Sequence, residues 1–371
     1  MTDIPIPSQA YRDFSRRIND KGHASEQVFK AQIELTYGCN LRCVHCYTDC
    51  YNRADLIKER ELSTAQITRI LDQLHEQGIL WVCFTGGEIF MRRDFLEIYA
   101  YARRKGFLIT LFTNATLISE RIADYLEAAP PFKIDISVHG VTEETYDRVT
   151  QVPGSFKRCM EAIRMLLDRG LPVDIKTNAL SVNRHELEKI KEFVEGLGLR
   201  FRLNTPIYPR LNGDLSPCEY RLSPEEIVTL DFPDGAFDDE EVACAASEAP
   251  PFETPPDDRL YRCGCGTSDV HISAWGELGT CTWQHQVRAD LREKSVAEGI
   301  REVFPHIRAA RYRSNSPCRS CQVYRLCDKD PNIAWAEAHD SEQPVDHFCQ
   351  TAFGRAERLT ALRSITPRAD G

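Results

Sequence analysis

The chain has 371 residues, 42% of them hydrophobic, enough for one large domain with a smaller companion. Its net charge of −10 is concentrated in residues 222–258, which hold twelve acidic residues and no Lys or Arg; without them 46 basic residues face 44 acidic ones, leaving no electrostatic case for nucleic acid. No run approaches the roughly 18 apolar residues of a membrane span, and the N-terminus lacks a signal-peptide segment, so the reading excludes a membrane and places the protein in the cytoplasm.

In chain order, residues 31–36 (AQIELT) read as a strand with a cysteine loop at its C-terminal end. Ser63 opens a helix, with Gln66 completing a capping box and Ile67, Ile70, Leu71 and Leu74 marking one apolar face. The short apolar run at 80–84 reads as a buried strand. There follow a helix at 94–105, a strand at 107–112, a helix opened by Ser119 and a strand at 132–138. A helix after Gly154-Ser155, a strand at 172–178, a helix at 184–196 and a strand at 199–204 complete the series.

Strands separated by helices imply parallel βαβ units, and six of them predict an α/β fold, a partial (β/α)6 barrel of TIM-barrel type over residues 31–205. In such folds the active site gathers at the C-terminal ends of the strands. Residues 1–30 read as an extension, and 206–262, with nine of the twenty prolines in 206–256, as a linker or partly ordered lid. Residues 263–350 read as a small cysteine-rich α+β domain with a glycine-marked hairpin at Trp275-Gly276, and 351–371 as a helix or tail.

Fifteen cysteines, an odd number, without a secretion signal favour metal or cluster ligation over disulfides. Cys39, Cys43 and Cys46 form a CxxxCxxC loop: three thiolates hold three irons of a cubane and leave the fourth without a protein ligand. A zinc knuckle, or a fully ligated cluster using Cys50, is the competing chemistry. His45, between two of these cysteines, reads most simply as solvent-exposed. Cys83 and Cys159 read as core residues, and Cys244 as a spare ligand at most.

The loop resembles that of the radical S-adenosylmethionine (SAM) superfamily, in which the open iron binds the amino and carboxylate groups of SAM. The resemblance implies a [4Fe-4S] cluster on Cys39, Cys43 and Cys46 and reductive cleavage of SAM to a 5′-deoxyadenosyl radical. It extends to Thr85-Gly86-Gly87-Glu88, which resembles the family's GGE motif, where backbone and Glu meet the amino group of SAM; the glycines let backbone approach a ligand. Tyr47, directly after the cysteine loop, Asn114 and Ser137, at the ends of the third and fourth strands, and His139, just past Ser137, are expected in the same pocket. Where relatives carry an Arg for the SAM carboxylate, this chain has Thr150, with Arg148 two residues away.

Cys263, Cys265, Cys281, Cys318, Cys321, Cys327 and Cys349 follow an order that resembles the SPASM extension, which implies one or two auxiliary iron-sulfur clusters. By that resemblance Cys318, Cys321, Cys327 and Cys349 hold the distal cluster. The proximal set departs from the pattern, because Pro331 stands where a cysteine is expected. Cys263 beside Cys265 and Cys281, an oxygen from Asp328 or Asp330, or an open iron that binds substrate each complete it.

The resemblance implies an oxidoreductase-type maturase that modifies a ribosomally made precursor peptide by crosslinking, epimerisation, oxidation or excision, fed by a flavodoxin- or ferredoxin-type electron donor. About 30 residues precede the first strand, too few for a leader-binding winged-helix domain, so leader recognition is expected from a separate protein or from the catalytic domain itself. The alternatives are a small-molecule substrate, such as a tetrapyrrole or redox-cofactor precursor, and a non-catalytic electron carrier. No catalytic acid or base is identified.

Overall fold

Alternation along Lys30–Thr36 (β1) sends Ile33 and Leu35 to one face and Gln32 and Glu34 to the other. The computed structural model describes residues 11–25, 27–48, 57, 59–232, 251–263, 266–284 and 286–365. Among them, β1 is followed outward in chain order by parallel Trp81–Gly86 (β2), Leu108–Thr113 (β3), Lys133–Ser137 (β4), Val173–Asn178 (β5) and Phe201–Asn204 (β6). The six expected strands all form, each within two residues of the expected ends, and the α/β partial barrel is the fold observed.

The face carrying Ile33 and Leu35 packs against the helices Thr64–Glu76 and Phe95–Arg104, whose Leu71, Leu74, Ile98 and Tyr99 are fully buried. Ser63 caps the first of these through the expected box with Gln66. A helix at Glu143–Thr150, opened by Thr142, was not anticipated.

The cysteine-rich segment continues the same sheet. Asp269–Ile272 (β7) pairs in parallel with β1 on its other side, and Glu277–Gly279 (β8) and Ala289–Asp290 (β9) extend the sheet antiparallel to nine strands. The hairpin at Trp275-Gly276 joins β7 to β8, with Gly276 at φ +81°.

Residues 206–232, expected as part of a linker, run against the cysteine loop and then form a helix, Pro224–Asp231, on the C-terminal helix Asp346–Ile365, where Arg355 Nε meets Asp231 Oδ2 at 2.7 Å. The rest of the acidic stretch, 233–250, lies outside the described residues, as do Cys50, Cys244 and Cys265. No helix among the described residues is long and apolar enough to cross a membrane.

Candidate active site

The cysteine loop leaves β1 at Thr36 and is pinned from two directions. Arg42 and Val44 donate backbone N–H groups to Thr150 O and Val149 O at 2.9 and 3.0 Å. From the other side, Arg210 Nη1 reaches Cys46 O and Thr48 O at 3.2 and 2.9 Å, and Leu211 N reaches Tyr47 O at 2.8 Å. The thiols of Cys39, Cys43 and Cys46 border one cavity of about 630 Å³.

These residues fit an iron-sulfur cluster. Cys39 Sγ accepts from Leu41 N at 3.4 Å and faces Asn114 Nδ2 at 3.8 Å, and Cys46 Sγ meets Thr48 Oγ1 at 3.1 Å: donors aimed at sulfur. Burial pushes the Cys39 thiol up to about 12 and raises Cys43 and Cys46, so thiolates here need a cation to replace the proton. Among the described residues no three His, Cys, Asp or Glu side chains converge on a single-ion position; the three thiols border a shared space, as one iron per thiolate requires.

Tyr47 lines the cavity with its ring, but its hydroxyl points into the core and donates to Glu34 Oε1 at 2.8 Å. Tyr37 donates to Glu34 Oε2 at 2.7 Å, and His271 Nε2 of β7 stands 3.3 Å from the same oxygen. Burial works to raise the Glu34 carboxyl, yet His271 and the two hydroxyls outweigh it and hold it below its ordinary value. A buried carboxylate thus ties the cysteine loop to the C-terminal hairpin.

Thr85, Gly86 and Gly87 line the cavity; Glu88 does not. Glu88 is fully buried beneath it, accepting from Thr113 Oγ1 (2.8 Å), Phe90 N (3.1 Å) and Asn114 N (2.7 Å). Burial pushes its carboxyl up to about 7 against three donors that favour the anion. In this structure both oxygens are engaged, Oε1 by Thr113 and Phe90 and Oε2 by Asn114, so the side chain holds the end of β3 against the turn that follows β2. The glycines also admit the end of β1 and the residues after it, with Gly87 N donating to Thr36 O at 2.7 Å and Glu88 N to Gly38 O at 2.8 Å.

Asn114, Ser137 and His139 all line the cavity. Asn114 Nδ2 donates to Asn40 Oδ1 at 3.1 Å. His139 is buried, and its Nδ1 accepts from Asn178 N at 3.4 Å, which places the ring proton on Nε2. Burial holds it neutral, well below the usual histidine range. His45, read as solvent-exposed, turns inward instead, its ring 4.6 Å from that of His139, and burial holds it down to about 4. Thr150 is buried on Ser155 Oγ at 2.6 Å, and Arg148 is exposed and away from the cavity.

Two walls were not anticipated. Trp283 packs between Tyr47 and Tyr208, tilted to the first and edge-on to the second, with ring centroids 5.3 and 5.1 Å away. Opposite, β5 and β6 present Lys176, Asn178, Arg202 and Asn204. Their signal is a polar residue at every second position of VDIKTN, in a parallel strand where both faces are ordinarily apolar.

A second cavity, about 1630 Å³, is lined by Cys263, Cys318, Cys321, Cys327 and Cys349 together with Asp330 and Pro331. Cys281 is not in that lining; its Sγ lies 3.3 Å from Nδ2 of the buried Asn332, next to Pro331. Asp328 Oδ2 is held by Arg355 at 2.7 Å, whereas Asp330 spends one oxygen, Oδ1, on the backbone N–H groups of Asn332 and Ile333.

The family model described as "Radical SAM superfamily" matches residues 33–196. Among curated proteins, the chain is 31% identical over 191 residues to the AdoMet-dependent heme synthase of Methanosarcina barkeri, covering 50% of this chain and 54% of that protein. It is 26% identical over 254 residues to the antilisterial bacteriocin subtilosin biosynthesis protein AlbA of Bacillus subtilis, covering 68% and 54%. The chain thus spans about half the length of these curated relatives. Streptococcus suis SuiB, solved bound to its precursor peptide SuiA, shares the fold at TM-score 0.66 and 16% identity, covering 94% of this chain and 84% of that one.

Proposed function

We propose that the chain, whose residues 33–196 match the radical SAM family model, is a radical SAM enzyme that modifies a residue of a ribosomally made peptide by hydrogen-atom abstraction. The observation that carries this reading is one cavity bordered at once by the three thiols, the Gly86-Gly87 backbone and Asn114, with room left between an aromatic and a cationic wall. When bound, the cluster and SAM supply a 5′-deoxyadenosyl radical.

Cys39, Cys43 and Cys46 would hold the cluster. Thr85, Gly86, Gly87, Asn114, Ser137 and the ring of Tyr47 form the walls against which SAM is oriented, and Glu88 positions Asn114 from below. Neutral His45 and His139 add no charge to this part of the cavity. Cys318, Cys321, Cys327 and Cys349 are assigned to an auxiliary cluster, and Cys281 with Asp330 to a second; Cys263 borders the same cavity as the first set.

The likeness to AlbA and the fold of SuiB support a peptide substrate, with the leader bound by the catalytic domain or by a separate protein and electrons delivered by a flavodoxin- or ferredoxin-type donor. Identity to heme synthases supports a second reading, a tetrapyrrole or other small cofactor precursor. A pure electron carrier has no use for the glycine-backed cavity.

The test is anaerobic cluster reconstitution followed by reduction in the presence of SAM. 5′-Deoxyadenosine is the expected product; intact clusters that yield none, with an electron paramagnetic resonance signal indifferent to SAM, overturn the assignment.

A further inference from the structure

Strand register sets three side chains in a row across the barrel interior: Ser137 of β4 pairs with Lys176 of β5, and Lys176 with Arg202 of β6. Beneath them Lys133 bridges Asp135 and Asp174 at 3.2 and 2.7 Å, and Arg202 meets Asp135 at 2.5 Å. Two carboxylates are thus taken by two cations, and Lys176 is the surplus charge. Among the described residues no carboxylate lies within 4.0 Å of its Nζ, which sits 3.3 Å over the ring of Phe112. The cavity lining contains Lys176, Arg200 and Arg202 and no Asp or Glu.

We propose that Lys176, backed by Arg202, is a subsite for a carboxylate of the substrate: an acidic side chain or a free C-terminus. The proposal rests on the peptide reading above and deepens it. A half-buried ammonium without a carboxylate gains most from an anion brought in by a ligand, through charge-assisted hydrogen bonds in a site of low dielectric. Burial has already pushed the Lys176 ammonium down to about 8, the cost that such an anion offsets.

Its place is at the far end of the SAM walls. Gly86 and Gly87 stand at the end of β2 and Asn114 directly after β3, whereas Lys176 and Arg202 stand on β5 and β6; at ~4.8 Å per strand, β5 lies ~14 Å from β2, and of the SAM walls Ser137 of β4, the register partner of Lys176, adjoins it. The aromatic wall of Tyr47, Trp283 and Tyr208 closes the cavity elsewhere, so the favoured ligand joins an apolar or aromatic group to a carboxylate.

The experiment is competitive acetylation of Lys176, read by mass spectrometry in the cluster-loaded protein under anaerobic conditions. Labelling is compared with SAM alone and with SAM plus N-acetylated random hexapeptide mixtures: amidated with Asp and Glu, free C-termini without acidic residues, and amidated without acidic residues. Glutarate serves as the non-peptide probe. SAM alone is expected to leave Lys176 reactive, and at least one carboxylate-bearing mixture to cut labelling about tenfold while the uncharged mixture does not. The mixture that protects names the source.

Protection by SAM alone, equal protection by the uncharged mixture, or no protection by any mixture or by glutarate overturns the subsite. Protection by glutarate and by no peptide upholds the subsite and removes the peptide reading.

Discussion

A Cβ on Gly86 would stand 2.1 Å from the carbonyl oxygen of Thr36, and one on Gly87 2.2 Å from that of Gly38. Both obstacles are backbone, so neither yields. Gly86 also sits at φ +131°. Gly86→Ala and Gly87→Ala should each destabilise by more than about 3 kcal/mol. Gly106→Ala is the control: φ is +86° there but nothing lies within 4 Å, so only conformational strain of about 1 kcal/mol is expected. Denaturant unfolding of the three variants separates close approach from dihedral strain.

Glu88→Gln tests whether this residue positions rather than binds. The amide keeps one acceptor for Thr113 and Phe90, but its NH2 then faces the Asn114 N–H that Glu88 Oε2 now accepts at 2.7 Å. Two opposed donors should cost about 1–3 kcal/mol of stability. The end of β3 should shift with them, so that Asn114 loses register with Asn40 and SAM affinity falls. A SAM dissociation constant that falls with the variant while stability is lost would sink the positioning role.

The sheet was legible because apolar alternation and short glycine-bounded runs depend on local spacing. Ile33, Leu71 and Tyr99 bury where their period places them. What local spacing does not carry is contact across the chain. The clamp of Arg210 on Cys46, 164 residues away, falls in a stretch whose prolines read as a linker. His45 turns inward against His139, which follows β4 some ninety residues on. Lys176 had a local signal, the polar alternation of its strand, but that pattern marks a lined interior only once the sheet is known to curl.

Iron content distinguishes the proposed ligands of the auxiliary clusters. Cys281→Ala should lower bound iron and abolish product formation without preventing SAM binding; unchanged iron and activity would remove the auxiliary-cluster assignment. Asp330→Ser retains a helix-capping oxygen but removes the carboxylate, so a further loss of iron names Asp330 as a ligand. Asp328→Asn breaks the bond to Arg355 instead, and should lower thermal stability with iron unchanged.

Lys176 also predicts a pH profile. Its pKa is held at about 8 chiefly by burial, with Asp135 and Cys83 opposing and Arg202 and Lys133 assisting, while Phe112 covers the amine. Acetylation needs the neutral amine, so labelling of Lys176 should rise through about pH 8, well before lysines at the ordinary 10.5. A carboxylate-bearing ligand favours the ammonium and should move that midpoint upward. The sign for stability follows from proton counting. Between about 8 and 10.5 the unfolded chain binds a proton at this position that the folded chain does not, so folding stability should rise with pH across that window. Lys176→Met keeps the contact with Phe112 and removes the proton, and should flatten the rise in unfolding midpoint. A midpoint that climbs equally in both proteins would assign the slope to other groups and place the Lys176 ammonium in the ordinary range.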